Sequence, residues 1–312
     1  MGKNWVEEKV VSFENIIGNE KIKKYLIQSI VDKNFLHSYL FLGTEGIGKL
    51  LIAKEFAKHI LCKETKIKDC NCKSCLCFDT KNHPDFSIIN EEGTTIKVEY
   101  IREVIEKIIE KPIVSDRKVY IINDSEKMTK EAQNCLLKTL EEPPEFVTII
   151  LVSSNENLIL NTIKSRCASV KFNNIEKEEL QKYIENNLEY KNLTENLLKY
   201  FDGSIGKAIN TQDKEEKFLE IEKIIKSVKQ KDLIDFMQAT KILYDKENIY
   251  EYLNYIIVCL YEEAKNNKNC LNCIKYVNET ITRLNANGYL DMNIDLLLLN
   301  IWGELNENSS RS

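Results

Sequence analysis

At 312 residues, with 43% hydrophobic and 30% charged side chains, the chain is long enough for two or three domains, each with its own core. A formal net charge of −5 excludes nucleic-acid binding by the overall field of the chain, leaving only a local patch for that task. No apolar run reaches membrane-spanning length and the first ten residues are charged rather than signal-like, so a cytoplasmic location without membrane contact is expected.

Taken in order, residues 13–20 read as an apolar entry and a helix start, with Asn19 as cap and Ile22, Leu26, Ile27 and Ile30 as the buried face. A strand over 38–42 runs into a glycine-rich turn, and a helix over 49–62 carries Leu51, Ala53, Phe56, Ala57 and Ile60. Four more strands are expected over 86–90, 118–122, 147–152 and 168–172. Helices over 98–109, 129–140 and 158–164 alternate with them, the second stopped by Pro143-Pro144. Such alternation predicts an α/β domain with a mostly parallel sheet. Beyond residue 173 there is no proline, and Leu, Ile, Lys and Glu predominate, which predicts an all-helical half. Its clearest break is Asp202-Gly203-Ser204-Ile205-Gly206, so the expected domains are 1–173, 174–211 and 212–312.

Gly43, Gly48 and Lys49 fit the phosphate-binding pattern G-x-x-x-x-G-K-[ST], in which backbone N–H groups and a helix N-terminus cradle a polyphosphate. The last position fails: Leu50 has no oxygen to offer Mg²⁺. A hydrolase of this type also needs acids after an apolar strand, and the strand ending at Ile122 is followed by Asn123-Asp124. Two metal-handling positions are lost together, so the loop is expected to hold phosphate through Gly43, Gly46, Gly48 and Lys49 without hydrolysing it. A glycine-rich turn with no ligand is the simpler alternative.

Cys62, Cys70, Cys72, Cys75 and Cys77 crowd into one segment, which in a large intracellular chain reads as metal binding before disulfides. Cys72-x2-Cys75 is a chelating pair for tetrahedral zinc, and Cys62 and Cys70 complete four thiolates. Cys77 is a possible substitute ligand, and five reduced surface thiols are the alternative to any metal. Cys270 and Cys273 read as buried small side chains. Arg166, between a helix and a strand, either pairs with a surface acid or serves as an arginine finger toward a neighbour's γ-phosphate.

These pieces resemble the clamp-loader branch of the AAA+ family. The resemblance is carried by Ile16-Ile17-Gly18-Asn19-Glu20, by 37–43, by the cysteine cluster closing with His83-Pro84-Asp85, by Leu136-Leu137-Lys138-Thr139-Leu140-Glu141-Glu142-Pro143-Pro144, and by Thr162-Ile163-Lys164-Ser165-Arg166-Cys167. It covers about residues 13–172. It implies a RecA-like domain with a structural zinc module, a helical lid, and a C-terminal collar that joins a five-subunit ring with motor (gamma or tau) and delta subunits. That ring opens a sliding clamp and places it on primed DNA. Leu50, Asn123-Asp124, and Gly206 where a motor's lid arginine would stand imply a non-hydrolysing member, with Arg166 matching the finger that completes a neighbour's ATP site. Ser165 would then fix the loop, Cys167 would pack, and ATP could be bound without turnover. The rivals are a motor ATPase and a DNA-binding zinc finger, whose Lys63, Lys66, Lys68, Lys73 and Lys81 are diluted by Glu64, Asp69 and Asp79.

Overall fold

Five parallel strands, β1 (Ser38–Leu42), β2 (Phe86–Ile89), β3 (Lys118–Ile122), β4 (Val147–Ser153) and β5 (Ala168–Lys171), form one sheet in the order β2-β3-β4-β1-β5. They belong to a computed structural model that describes residue 13 and residues 16–64, 70–90 and 93–306. β1, β3 and β4 are buried along their whole length, as expected of inner strands covered on both faces. Period-two alternation sorts their side chains. Tyr39, Phe41, Val119, Ile121, Ile150 and Val152 face one core, which includes Leu26, Phe56 and Ala57. Leu40, Leu42, Tyr120, Ile122, Ile149 and Leu151 face the other, with Ile101, Val104, Ala132 and Leu136. Helices α1 (Glu20–Val31) and α2 (Lys49–Leu61) thus cover one face, and α4 (Val98–Ile108) and α5 (Lys130–Glu141) the other. This three-layer α/β arrangement is the expected one.

Several local expectations shift. Asn19 stands at the N-cap position of α1, as expected, but its side chain makes no capping hydrogen bond; its backbone is left-handed, and its side-chain amide exchanges two hydrogen bonds with the backbone of Asn173, at 3.0 and 2.8 Å. The helix expected over 158–164 is the single turn α6 (Asn161–Lys164), because a 3-10 turn over Glu156–Leu158 comes first. Helix α3 (Lys73–Asp79), inside the cysteine segment, was not expected. Its first turn is capped by the Cys72 sulfur, which accepts the N–H of Cys75.

His83 and Asp85 join α2, α3 and the approach to β3. Asp85, 2% exposed, accepts the backbone N–H groups of Ile113, Val114 and Ser115 at 2.7, 2.7 and 2.8 Å. His83 Nδ1 accepts the Asp85 N–H at 3.0 Å, so its proton lies on Nε2. Nε2 faces Ser74 and Ser115 Oγ, and both hydroxyls donate to the Leu61 carbonyl. Burial holds His83 below its ordinary pKa, hence neutral. With its acceptor nitrogen spent on the backbone, this histidine cannot activate either serine as a nucleophile. The cluster is a structural joint.

The described residues form two compact units. One comprises those up to Glu179 with Ser204–Gly206; the other comprises Leu180–Gly203 and the residues from Lys207 onward. The second unit is helical, as expected, and includes α8 (Glu195–Phe201), α10 (Glu215–Ser227), α11 (Leu233–Ala239), α12 (Ile249–Glu263), α13 (Cys270–Asn285) and α14 (Leu290–Asn306). Phe218 packs against Tyr200, Tyr252 and Tyr255, with ring centroids 4.9–5.5 Å apart. Beside them the carboxylate of Glu222 accepts from Tyr255, Thr194 and Lys226. Burial opposes its ionisation, but those three donors prevail and hold its pKa below the ordinary value. Cys270 and Cys273 are buried in α13, matching the packing role expected of them. On α14, Met292, Leu296 and Leu299 stay exposed at helical spacing. Among the described residues no helix is long and apolar enough to cross a membrane.

Replacing Asp85 by Ala removes the acceptor for three backbone donors, each such bond to a charged group contributing about 1.5–3 kcal/mol. Asp85→Ala should therefore destabilise the first unit by about 3 kcal/mol or more in urea unfolding. A loss below about 1 kcal/mol would show that water replaces the carboxylate there.

Candidate functional site

The phosphate-binding pattern lies where its chemistry requires, between the C-terminal end of β1 and the first turn of α2. Gly46 takes a φ of +77° that only glycine adopts without strain. The loop is nevertheless turned in on itself. Lys49, 6% exposed, donates through Nζ to the carbonyls of Gly43 and Thr44, both at 2.7 Å, spending on its own loop two of the three N–H groups that would otherwise reach a β- or γ-phosphate. Burial depresses its pKa, against the opposing fields of Glu126, Glu45 and Asp124.

Ser204–Gly206, which belong to the same compact unit as the loop, lie against it at the start of α9 (Ile205–Gln212). The Gly206 N–H donates to the Gly46 carbonyl at 2.9 Å. A Cβ on Gly46 would stand 2.2 Å from the Ser204 hydroxyl, and one on Gly206 would stand 2.7 Å from the Gly46 Cα. Backbone lies on backbone here, which is why both positions are glycine.

The side chains at the positions expected to handle a metal are engaged elsewhere. Leu50 packs against the core that includes Phe41 and Phe56. Asn123 faces Asn90, each side-chain amide directed at the other's carbonyl at 3.3 and 3.5 Å. Asp124 has a left-handed backbone and pairs with Lys127 at 3.0 Å. A carboxylate does face this region, but from Glu126, which sequence reasoning passed over. Its Oε1 accepts from the N–H and hydroxyl of Ser154, and Oε2 is buried without a hydrogen-bond partner. Burial opposes its charge, yet the Ser154 contacts hold its pKa below the ordinary value.

Arg166 sits at the other end of the sheet. The hydroxyl of Ser38, the first residue of β1, donates to the Arg166 carbonyl at 2.7 Å, and Ala168 pairs with Tyr39. The phosphate loop begins only after Leu42, so the length of β1, roughly 15 Å, separates the two. An arginine side chain cannot span that distance to its own loop. Its guanidinium pairs instead with Glu141 at the end of α5: Nε donates to Oε1 at 2.8 Å and Nη2 contacts the same oxygen. Nη1 donates to the Thr162 carbonyl at 2.8 Å and to Ser165 Oγ at 3.2 Å, so Ser165 does help fix the loop. Cys167 is buried, and burial pushes its thiol up to about 11. A second residue missed in the sequence is Gln133, buried on α5. It donates to the carbonyls of Met128 and Leu158 and accepts the Leu160 N–H, fixing the segment that leads to α6.

The sulfurs of Cys62, Cys70, Cys72 and Cys75 all lie within 4.8 Å of one another, and that set does not include Cys77. Thiolates about 2.3 Å from a tetrahedral zinc ion lie about 3.8 Å apart, so the cluster fits that ion. Burial pushes Cys62 up to about 11 and Cys75 higher still. Burial also opposes Cys72, but the Cys75 N–H and neighbouring thiols bring it down to about 7.

A family model described as "DNA polymerase III, delta subunit" matches residues 18–176. Subunit delta' of DNA polymerase III from Bacillus subtilis is 35% identical over 153 residues, covering 49% of this chain and 46% of that protein. Subunit tau/gamma from Haemophilus influenzae is 33% identical over 184 residues, covering 58% of this chain and 27% of that protein. Thus the chain spans between about a quarter and half the length of these relatives. A crystal structure of a DNA polymerase III gamma subunit-related protein from Thermotoga maritima aligns at TM-score 0.51 and 20% identity, covering 92% of this chain and 98% of that one, which shows a shared fold.

The close contact at Gly206 is testable by itself. Gly206→Ala should push Ser204–Gly206 off the loop and speed amide exchange at residues 43–49. A steric misfit of this size costs about 1–3 kcal/mol. Unchanged exchange would mean that the contact does not hold the loop.

Proposed function

Since the chain belongs to the DNA polymerase III delta-subunit family of clamp-loader proteins, we propose that it is the delta-prime subunit, a non-hydrolysing member of the loader ring. In this reading it supplies Arg166 in trans to the ATP site of an adjacent motor subunit (gamma or tau) and helps the ring, with delta, place a sliding clamp on primed DNA. The observation that carries it is the separation of Arg166 from the chain's own phosphate loop by the full length of β1. A guanidinium so placed serves another chain's phosphate or none. The withdrawn Lys49, the core-facing Leu50 and the amide at Asn123 support the absence of hydrolysis. Residues 174–211 are read as the lid and 212–312 as the collar, whose exposed Met292, Leu296 and Leu299 suit helix packing between subunits. Cys62, Cys70, Cys72 and Cys75 would hold a structural zinc ion, which when bound cross-links α2 to α3 and leaves no position open for catalysis.

Similarity to tau/gamma subunits favours a second reading, a motor ATPase in its own right. It requires Lys49 to leave the Gly43 and Thr44 carbonyls and Glu126 or Asp124 to bring in Mg²⁺.

One experiment separates them. ATP hydrolysis is measured for the lone chain and for a reconstituted loader with clamp and primed DNA, with and without Arg166→Ala. The lone chain should be inert, and the substitution should slow the assembled loader by about 10³-fold or more while assembly survives. Turnover by the lone chain would establish the motor; an unaffected assembly would reduce Arg166 to a structural role. For the metal, the reduced chain should take up one zinc ion, Cys75→Ser should lose it, and Cys77→Ser should keep it. Equal loss from both variants would move Cys77 into the ligand set.

A further inference from the structure

The contacts of Arg166 assign a role to Glu141, one that rests on the finger reading above. The guanidinium has two differently occupied sides. Nη1 is committed to local acceptors, the Thr162 carbonyl and Ser165 Oγ, which travel with Arg166 on the same turn. The Nε–Nη2 edge, the fork that takes two oxygens of a carboxylate or phosphate side by side, is directed at the single oxygen Oε1 of Glu141. One oxygen shared by two N–H groups uses this fork poorly, and two phosphate oxygens would fill it better.

Two further observations describe this acid. Glu141 is the last residue of α5, where the negative end of the helix disfavours a carboxylate, so its charge is locally unfavourable and is offset by Arg166. The pair is also open to solvent, with side chains 32% and 48% exposed, so water and salt weaken it and a polyanion can replace it.

We propose that Glu141 is a placeholder anion. It occupies the Nε–Nη2 edge of Arg166 until a phosphate group takes that edge, and it yields without disturbing the Nη1 contacts that aim the guanidinium. Glu141 thereby sets how readily phosphate is captured, while Arg166 alone acts on the reacting group.

The test has two arms. In the free chain, inorganic tripolyphosphate is titrated while the Arg166 Nε–H resonance is followed by NMR in the unsubstituted chain and in Glu141→Gln, which keeps the shape and removes the charge. Glu141→Gln should bind about fivefold more tightly at this resonance, the factor that about 1 kcal/mol represents. Equal or weaker binding overturns the proposal. In the reconstituted loader, Glu141→Gln should lower KM for ATP by a similar factor with kcat unchanged. A fall in kcat at constant KM would instead make Glu141 a positioning residue and also overturns it. If Arg166→Ala leaves loader turnover intact, the finger reading fails, and the free-chain arm still decides whether Glu141 holds the place of a phosphate.

Discussion

Double-sided pairing of β1 is the constraint on which the rest of the first unit depends. The strand is held by β4 on one side and β5 on the other, so neither of its ends can shift without breaking two ladders. At one end the chain turns into the phosphate loop and α2. At the other, Ser38 holds the Arg166 backbone. Because parallel strands carry these two features at opposite ends, they cannot meet within one molecule.

The phosphate loop is held by contacts within the protein itself. A buried ammonium without partners would be costly, and Lys49 meets this cost by hydrogen-bonding to carbonyls of its own loop. The Gly206 N–H satisfies the Gly46 carbonyl from the outside. The Lys49 ammonium and the Gly46 carbonyl thus both find partners within the protein. Glu126 is the exception, with one buried oxygen lacking a partner beside Ser154.

Where the sequence was a good guide, the signal was local and dense. The inner strands were legible because continuous apolar runs of that length suit strands buried on both faces, and the two cores follow from alternation alone. The four ligand-spaced cysteines were legible for the same reason, and their sulfurs do converge. Failures came where a short polar side chain had competing partners. Asn19 takes the N-cap position, but Asn173, 154 positions away, takes both ends of its amide in place of the helix N–H groups. Helix α3 escaped notice because its seven residues are too few to show a period, and its cap is a sulfur.

By itself, the sequence determined the class of fold, the parallel sheet, the departures at Leu50 and Asn123 from the hydrolase pattern, the cysteine cluster and the family resemblance. All of these reside in residue identity and in spacing along a single element. Tertiary structure alone decided where the displaced groups went: Lys49 onto its own loop, Gly206 onto Gly46, and Arg166 onto Glu141, 25 positions away. Such partners are chosen by the sheet order and by which backbone donors and acceptors burial leaves unpaired. Neither quantity exists until the chain has folded.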